Sequence, residues 1–340
     1  MISECKEMPT NVNAAFNKFL AETVNLLTED SKTARTDRDN LRSRIQRLEA
    51  EVQHFPTLKI DADINFGSFS RKTKKRPLDD VDMFFCMSGN GAYYNEGIDG
   101  VIKIHVTNTN TNLYMFTNND NETLNSIKVL NKFKSSVESI YAYRSSEINR
   151  RQEVVKLTLN NKDWSFDIVP CFITTAVNNK DFYLIPDGTG NWKKADPRID
   201  QERTTRINQS HDGKILNIIR IMKYWNARAT MPTMSSYLLE NIILNHYENR
   251  SSCSEYIDLE LPHALEAVCN AVFSPVPDPK GFQSDLNQIS YEDRCKIYIR
   301  AGLDKDKAVE AHRLEIDCQT HRECISKWRE IFGYEFPVYN

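Results

Sequence analysis

The sequence predicts an α+β protein with its strands early and its helices late. Three observations carry this. Between Leu58 and Phe172, short alternating or apolar runs are divided by turn residues; beyond the turn-rich "IPDGTGNWKKADPR" helical periodicity is nearly unbroken; and a charged amphipathic stretch precedes both. The 340 residues suffice for one large domain or two modest ones. They divide into leading helices over 1–55, a strand-rich core over 56–200 and a helical lobe over 201–340.

In the leading stretch, Leu41, Ile45, Leu48 and Val52 recur at spacings of four and three, a single apolar stripe among many charges. The stripe is short for a coiled-coil arm, so a helix lying across a core is expected. "LKIDADINFGS" and "VDMFFCM" read as strands, followed by a polar loop holding Asn90, Gly91, Asn95 and Gly97. "VIKIHV" is a further strand unless it belongs to the edge of that loop. "NETLNSIKVLNKFKSSVESIY" is a helix with Leu124, Ile127, Leu130 and Val137 inward. "EVVKLTLNNKDWSFDIVPCF" is two strands joined at "NNKD", a hairpin by turn chemistry. In the helical half the clearest loop is "SPVPDPKGF", Ser274 to Phe282.

Composition narrows the function classes. Hydrophobic residues at 40% and charged residues at 27% are ordinary for a soluble protein. No window approaches the run of about 18 apolar residues that a membrane span requires. The first residues lack a basic start followed by an apolar run, so no secretory signal and a cytoplasmic protein are expected. A net charge of −3 argues against a long nucleic-acid groove, though not against a small anion in a local basic pocket. "RKTKKR", Arg71 to Arg76, reads either as such a pocket or as a solvated loop. Eight scattered cysteines without a CxxC pair imply reduced thiols. His312, Cys318, His321 and Cys324 fall within "HRLEIDCQTHREC", which reads as continuous helix; its four side chains then spread over more than one face, favouring a packed helix over a zinc site.

The stretch "GSFSRKTKKRPLDDVDMFF" packs carboxylates against the mouth of an apolar strand. Side chains alternate along a strand, so Asp80 and Asp82 point one way while Val81 points to the core. Like charges that close repel unless a cation sits between them. Asp167, flanked by Phe166 and Ile168 in another apolar strand, needs a partner for the same reason. Brought to one sheet face, the three aspartates can hold two Mg2+ or Mn2+ ions about 4 Å apart, the arrangement that serves nucleotidyl transfer. Gly67 lets backbone approach an anion and Ser68 offers a hydroxyl to a phosphate.

"GS…DVD…FD" resembles the nucleotidyltransferase superfamily whose core is like that of DNA polymerase β. The later motifs resemble the bacterial cyclic-oligonucleotide synthases, the CD-NTases, relatives of oligoadenylate synthetases and cyclic GMP–AMP synthase. "IPDGTGNWKKADPR" is similar to the link that leaves their core, and "KWREIFGYEFP" to their C-terminal ending. "LNIIRIMKYWN" resembles the helix whose lysine meets the triphosphate, which implies Lys223. "MSSYLLEN" resembles the segment whose serine touches phosphate and whose tyrosine stacks on a base, implying Ser236 and Tyr237. From the residues alone, Lys223 equally suits a snorkelling lysine and Tyr237 a packed core aromatic. The family often has Gly-Thr shortly after Gly-Ser, where this chain has Lys72-Thr73; Asp79 is also extra.

The resemblance implies a polymerase-β-like core, a helical lobe and a long N-terminal helix bridging them. It further implies joining of ATP, and of other ribonucleoside triphosphates, into a cyclic di- or trinucleotide second messenger with pyrophosphate release. Anti-phage signalling, a downstream effector that binds the product and a regulatory protein partner follow from it too; a membrane or a long nucleic acid does not. Transfer to RNA 3′ ends or to a protein, and a catalytically silent nucleotide-binding module, are the alternatives.

Overall fold

The structure, a computed structural model, describes residues 9–318 and 320–340. Cys5 and the side chain of Cys318 lie outside the described residues. The chain forms two compact units. The sheet unit comprises Thr28–Arg71 and Leu78–Gln201; the helical unit comprises the N-terminal residues to Leu27, the segment Lys72–Pro77 and Glu202–Asn340.

The sheet unit opens with α2 (Thr28–Glu51), which buries Leu41, Ile45 and Leu48 of the expected stripe together with Ala34; Val52 falls just past the helix and is only partly buried. Beside that stripe, Arg42, Gln46 and Glu49, again four and three apart, bond the segment ahead of and within the first strand. Arg42 donates to Asn65 Oδ1 at 2.5 Å, Gln46 donates to Asp63 Oδ2 at 2.8 Å, and Glu49 accepts from the Leu58 amide at 3.0 Å. The sheet has nine strands: β1 (Ile64–Phe66), β2 (Asp80–Cys86), β3 (Tyr93–Glu96), β4 (Ile102–His105), β5 (Glu147–Arg151), β6 (Val154–Thr158), β7 (Ser165–Ile173), β8 (Tyr183–Pro186) and β9 (Trp192–Ala195). They run in the order β1-β2-β7-β8-β9-β4-β3, with β6 also pairing β7 and β5 pairing β6. Only the β2–β7 pair is parallel among these pairings.

On β2, burial alternates through Asp80, Val81 and Asp82, then becomes continuous to Cys86. Phe84, Cys86, Val169, Cys171 and Tyr183 pack as one apolar cluster on the face shared with Asp82. Val81, Met83, Phe85, Phe166 and Ile168 are buried on the other. Helix α4 (Ser126–Ser139) packs against β5 to β8, presenting Val129, Leu130, Phe133 and Val137. Asn125 caps it, accepting from the Ile127 and Lys128 amides.

The helical unit holds α1 (Val12–Phe19), α6 (Ile215–Asn226), α7 (Ser236–Glu248), α8 (Ile257–Ala271), α9 (Tyr291–Cys318) and α10 (His321–Phe332); α5 (Pro197–Ser210) begins in one unit and ends in the other. Its core is aromatic where α1 meets α10. Phe16 sits edge-on to Trp328 at 4.9 Å and to Phe336 at 5.0 Å. The leading stretch is therefore more than one helix: α1 ends in a π-helical turn, Leu20–Val24, before α2 starts in the other unit.

One expectation is corrected here. "HRLEIDCQTHREC" is not continuous helix, because α9 ends at Cys318 and α10 starts at His321. Thr320 leaves helical geometry (φ −103°, ψ 77°), and its hydroxyl donates to the Glu323 carboxylate at 3.2 Å. Among the described residues the cysteines are free thiols. Cys324 is fully buried, and burial with the nearby Glu315 and Asp258 charges pushes its thiol up to about 12.

Candidate active site

Register builds the acidic cluster. In the parallel β2–β7 pair, Asp82 lies directly opposite Asp167, and Asp80 lies one same-face step away on β2. Each aspartate offers a carboxylate oxygen, and these three oxygens lie within 4.8 Å of one another. All three residues are partly buried, where opposing like charge is costly. Asp79, one residue earlier, is exposed and outside the cluster; its carbonyl accepts from the Ser165 amide and hydroxyl, each at 3.0 Å, which extends the β2–β7 ladder.

Gly67 follows β1, which pairs antiparallel with β2 so that Phe66 faces Asp82. Its φ of +75° is one that side-chain-bearing residues rarely adopt. A Cβ placed there would stand 1.7 Å from Asp82 Oδ2, so only glycine leaves that carboxylate where it is. Ser68 follows in the short helix α3 (Gly67–Ser70), half-buried. The donor set fits a hard divalent cation, since all three donors are carboxylate oxygens and the neighbouring backbone carries no side chain into the space.

The other expected site residues lie in the helical unit. Lys223 is on α6 and buried, its ammonium 2.7 Å from Glu240 Oε2 and 3.2 Å from both the carbonyl and the hydroxyl of Thr73. Thr73 in turn donates to Glu240 at 3.0 Å. Ser236 is exposed in the first turn of α7, next to Ser235, which caps the helix by accepting from the Leu238 amide. Tyr237 is half-buried, with the Lys280 ammonium 4.3 Å from its ring centroid. Lys280 also donates to the Tyr237 hydroxyl and pairs with the buried Asp278 at 3.0 Å. The basic run is mostly absorbed into this unit. Arg76 donates to the carbonyls of Ala21, Glu22 and Asn25 at the end of the π-helical turn, and Arg220 donates to the Lys72 carbonyl.

Two partners of these residues were missed by sequence reasoning. Glu240, an acid inside the apolar "YLLENIIL", carries the signal that exposed Asp167. Lys280 gave none, because its partner Tyr237 is distant in the chain and the intervening loop is irregular.

No family model matches the chain. A probable cyclic nucleotide synthase of Bacillus cereus is 41% identical over 332 residues, which cover 97% of this chain and 99% of the relative. Among solved structures, Vibrio cholerae DncV, a cyclic AMP-GMP synthase, superposes with a TM-score of 0.69 at 11% identity, covering 98% of this chain and 100% of that one. E. coli MS115-1 CdnC, solved with ATP, gives 0.67 at 13% identity, covering 95% and 98%. These two likenesses show the nucleotidyltransferase fold. No helix among the described residues is long and apolar enough to cross a membrane. With Asp80, Asp82 and Asp167 gathered on such a fold, and a full-length relative of this identity, the chain belongs to the cyclic nucleotide synthases of the CD-NTase family, nucleotidyltransferases that make cyclic oligonucleotides.

Proposed function

We propose that this enzyme joins ATP, with or without a second ribonucleoside triphosphate, into a cyclic di- or trinucleotide by metal-dependent transfer that releases pyrophosphate. The observation that carries the reading is the mutual approach of Asp80, Asp82 and Asp167 within 4.8 Å. These residues would hold two Mg2+ or Mn2+ ions. Bound there, such ions supply Lewis acidity at the reacting phosphate and acidify the acceptor ribose hydroxyl.

The protein's own part is positioning. Adjacent parallel strands fix the carboxylates by backbone hydrogen bonds, so little reorganisation is needed when a nucleotide arrives. Gly67 keeps the space beside Asp82 clear, and Ser68 donates its hydroxyl to a phosphate oxygen. In the helical unit, Ser236 meets phosphate from the exposed first turn of α7 and Tyr237 meets a base. Lys223 exchanges Glu240 for a phosphate oxygen in this reading. The E. coli neighbour is also known in a complex with a HORMA protein. A regulatory protein partner, a role in anti-phage signalling, an effector that binds the cyclic product and a cytoplasmic location are proposed for this chain on family grounds.

The test is incubation with all four ribonucleoside triphosphates and Mg2+ or Mn2+, reading product by mass spectrometry and pyrophosphate by a coupled assay. The Asp80→Ala/Asp82→Ala protein should lose product on the order of 1,000-fold while unfolding at the wild-type temperature. Undiminished product from the double variant would sink the assignment.

A further inference from the structure

The helical unit gathers a second ligand set, of different chemistry. Asp258 lies in the first turn of α8, and His312 and Glu315 lie one helical turn apart on α9. One donor atom from each comes within 4.8 Å of the others. His321, the first residue of α10, lines the same cavity of about 350 Å³, and its Nδ1 is 3.3 Å from Glu315 Oε1. The break after Cys318 is what allows His321 to turn toward His312 and Glu315; in one continuous helix, residues nine apart face different sides.

Two features make this more than an arrangement of surface charges. The buried Nδ1 of His312 makes no hydrogen bond, although a buried polar nitrogen ordinarily has a partner, and that of His321 faces the Glu315 carboxylate at 3.3 Å without hydrogen-bond geometry. Asp258, only 6% exposed, is placed beside a second carboxylate, Glu315, and like charges so close repel. A cation bound by the imidazole lone pairs and neutralising the carboxylates resolves both. Asn13 and Tyr256 also line the cavity, which is open enough for an ion to enter: the His321 side chain is 38% exposed.

We propose that Asp258, His312, Glu315 and His321 form a divalent-cation site of zinc type, which clasps the start of α8 to the α9–α10 corner. Two imidazole nitrogens with two carboxylate oxygens are a four-donor set suited to Zn2+, whereas Mg2+ prefers oxygen alone. The site is separate from the aspartate cluster on β2 and β7, and its role is to stiffen the helical unit.

The test uses the full-length Asp80→Ala/Asp82→Ala protein, so that the sheet cluster contributes little metal, stripped with a chelator and titrated with ZnCl2 or MgCl2. We expect close to one zinc per chain by elemental analysis and a melting temperature raised by several degrees with zinc but not magnesium. Replacing the half-exposed His321 with alanine, a change the fold should tolerate, should weaken zinc binding at least about tenfold. Zinc-independent melting with no retained metal would overturn the proposal. So would retention that His321→Ala and Glu315→Gln both leave unchanged.

Discussion

The two units differ in where buried charge is gathered like with like, although the sheet unit also closes one pair of its own, Arg198 with the buried Asp196 at 2.7 Å. In the helical unit, opposite charges are brought together: Lys223 meets Glu240 at 2.7 Å, Arg300 meets the fully buried Asp304 at 2.7 Å, and Lys280 meets Asp278 at 3.0 Å. In the sheet unit, Asp80, Asp82 and Asp167 are gathered with like charge facing like charge. A pair of opposite charges closes on itself and needs nothing further. Gathered carboxylates repel one another, and a divalent cation between them relieves that repulsion, which is what a metal-nucleotide site requires. The Asp258–Glu315 pair is where the helical unit departs from its own pattern, and there two histidines stand beside it.

The sharpest way to break the comparison is to open a closed pair. Lys223→Met takes the 2.7 Å ammonium away from the buried Glu240, and should cost about 3–5 kcal/mol in urea unfolding. Lys223→Met with Glu240→Leu removes both charges and should recover most of that loss. The double variant also isolates the catalytic role. If its stability returns while its apparent affinity for ATP stays low, Lys223 meets triphosphate; if both return, the lysine is structural only.

A smaller effect is expected where the sheet unit crowds backbone against carboxylate. Gly67→Ala drives a Cβ to within 1.7 Å of Asp82 Oδ2, and moving that oxygen by about 1 Å should lower product formation about 100-fold. Gly213→Ala is the control. Its φ of +82° imposes the same backbone strain, but nothing lies within 4 Å of the added atom. That variant should lose stability by about 1 kcal/mol and keep its activity. Equal activity losses in the two would mean that strain, and not collision with Asp82, is what matters.

How much of this was legible in the sequence follows from the same physics. Asp80 and Asp82 could be read because a strand has a period of two and leaves little doubt about which side chains share a face. Asp167 could be read because an acid between Phe166 and Ile168 has few explanations. The hairpin at "NNKD" was equally plain, as was the helix read from Asn121, although it starts only at Ser126 and leaves Leu124 outside it. Strands β3 and β5 were not, since Tyr93–Glu96 is exposed throughout and Glu147–Arg151 is largely polar, leaving no alternation to detect. The link "IPDGTGNWKKADPR" hid the end of β8 and all of β9 behind its turn residues. The ligand set around His312 was hidden for another reason. Three helices contribute to it, and the α9–α10 break had first to be seen in Thr320 and Glu323.

The smallest effect expected is also the most discriminating. Asp258→Asn keeps the shape of the side chain and an oxygen able to accept from the first amides of α8. It removes a charge that burial, then Glu315, makes unfavourable: the carboxyl's proton affinity is raised in the folded chain, so holding it ionised at neutral pH destabilises the fold. In chelator, therefore, Asp258→Asn should leave the melting temperature unchanged or raise it by about 1–2 °C. With zinc present the order should reverse, because the wild type gains a ligand-bound state that the variant holds weakly. A clear fall in melting temperature in chelator would show that Asp258 already has a strong partner within the protein, and the contrast between closed pairs and open clusters would then be confined to the sheet.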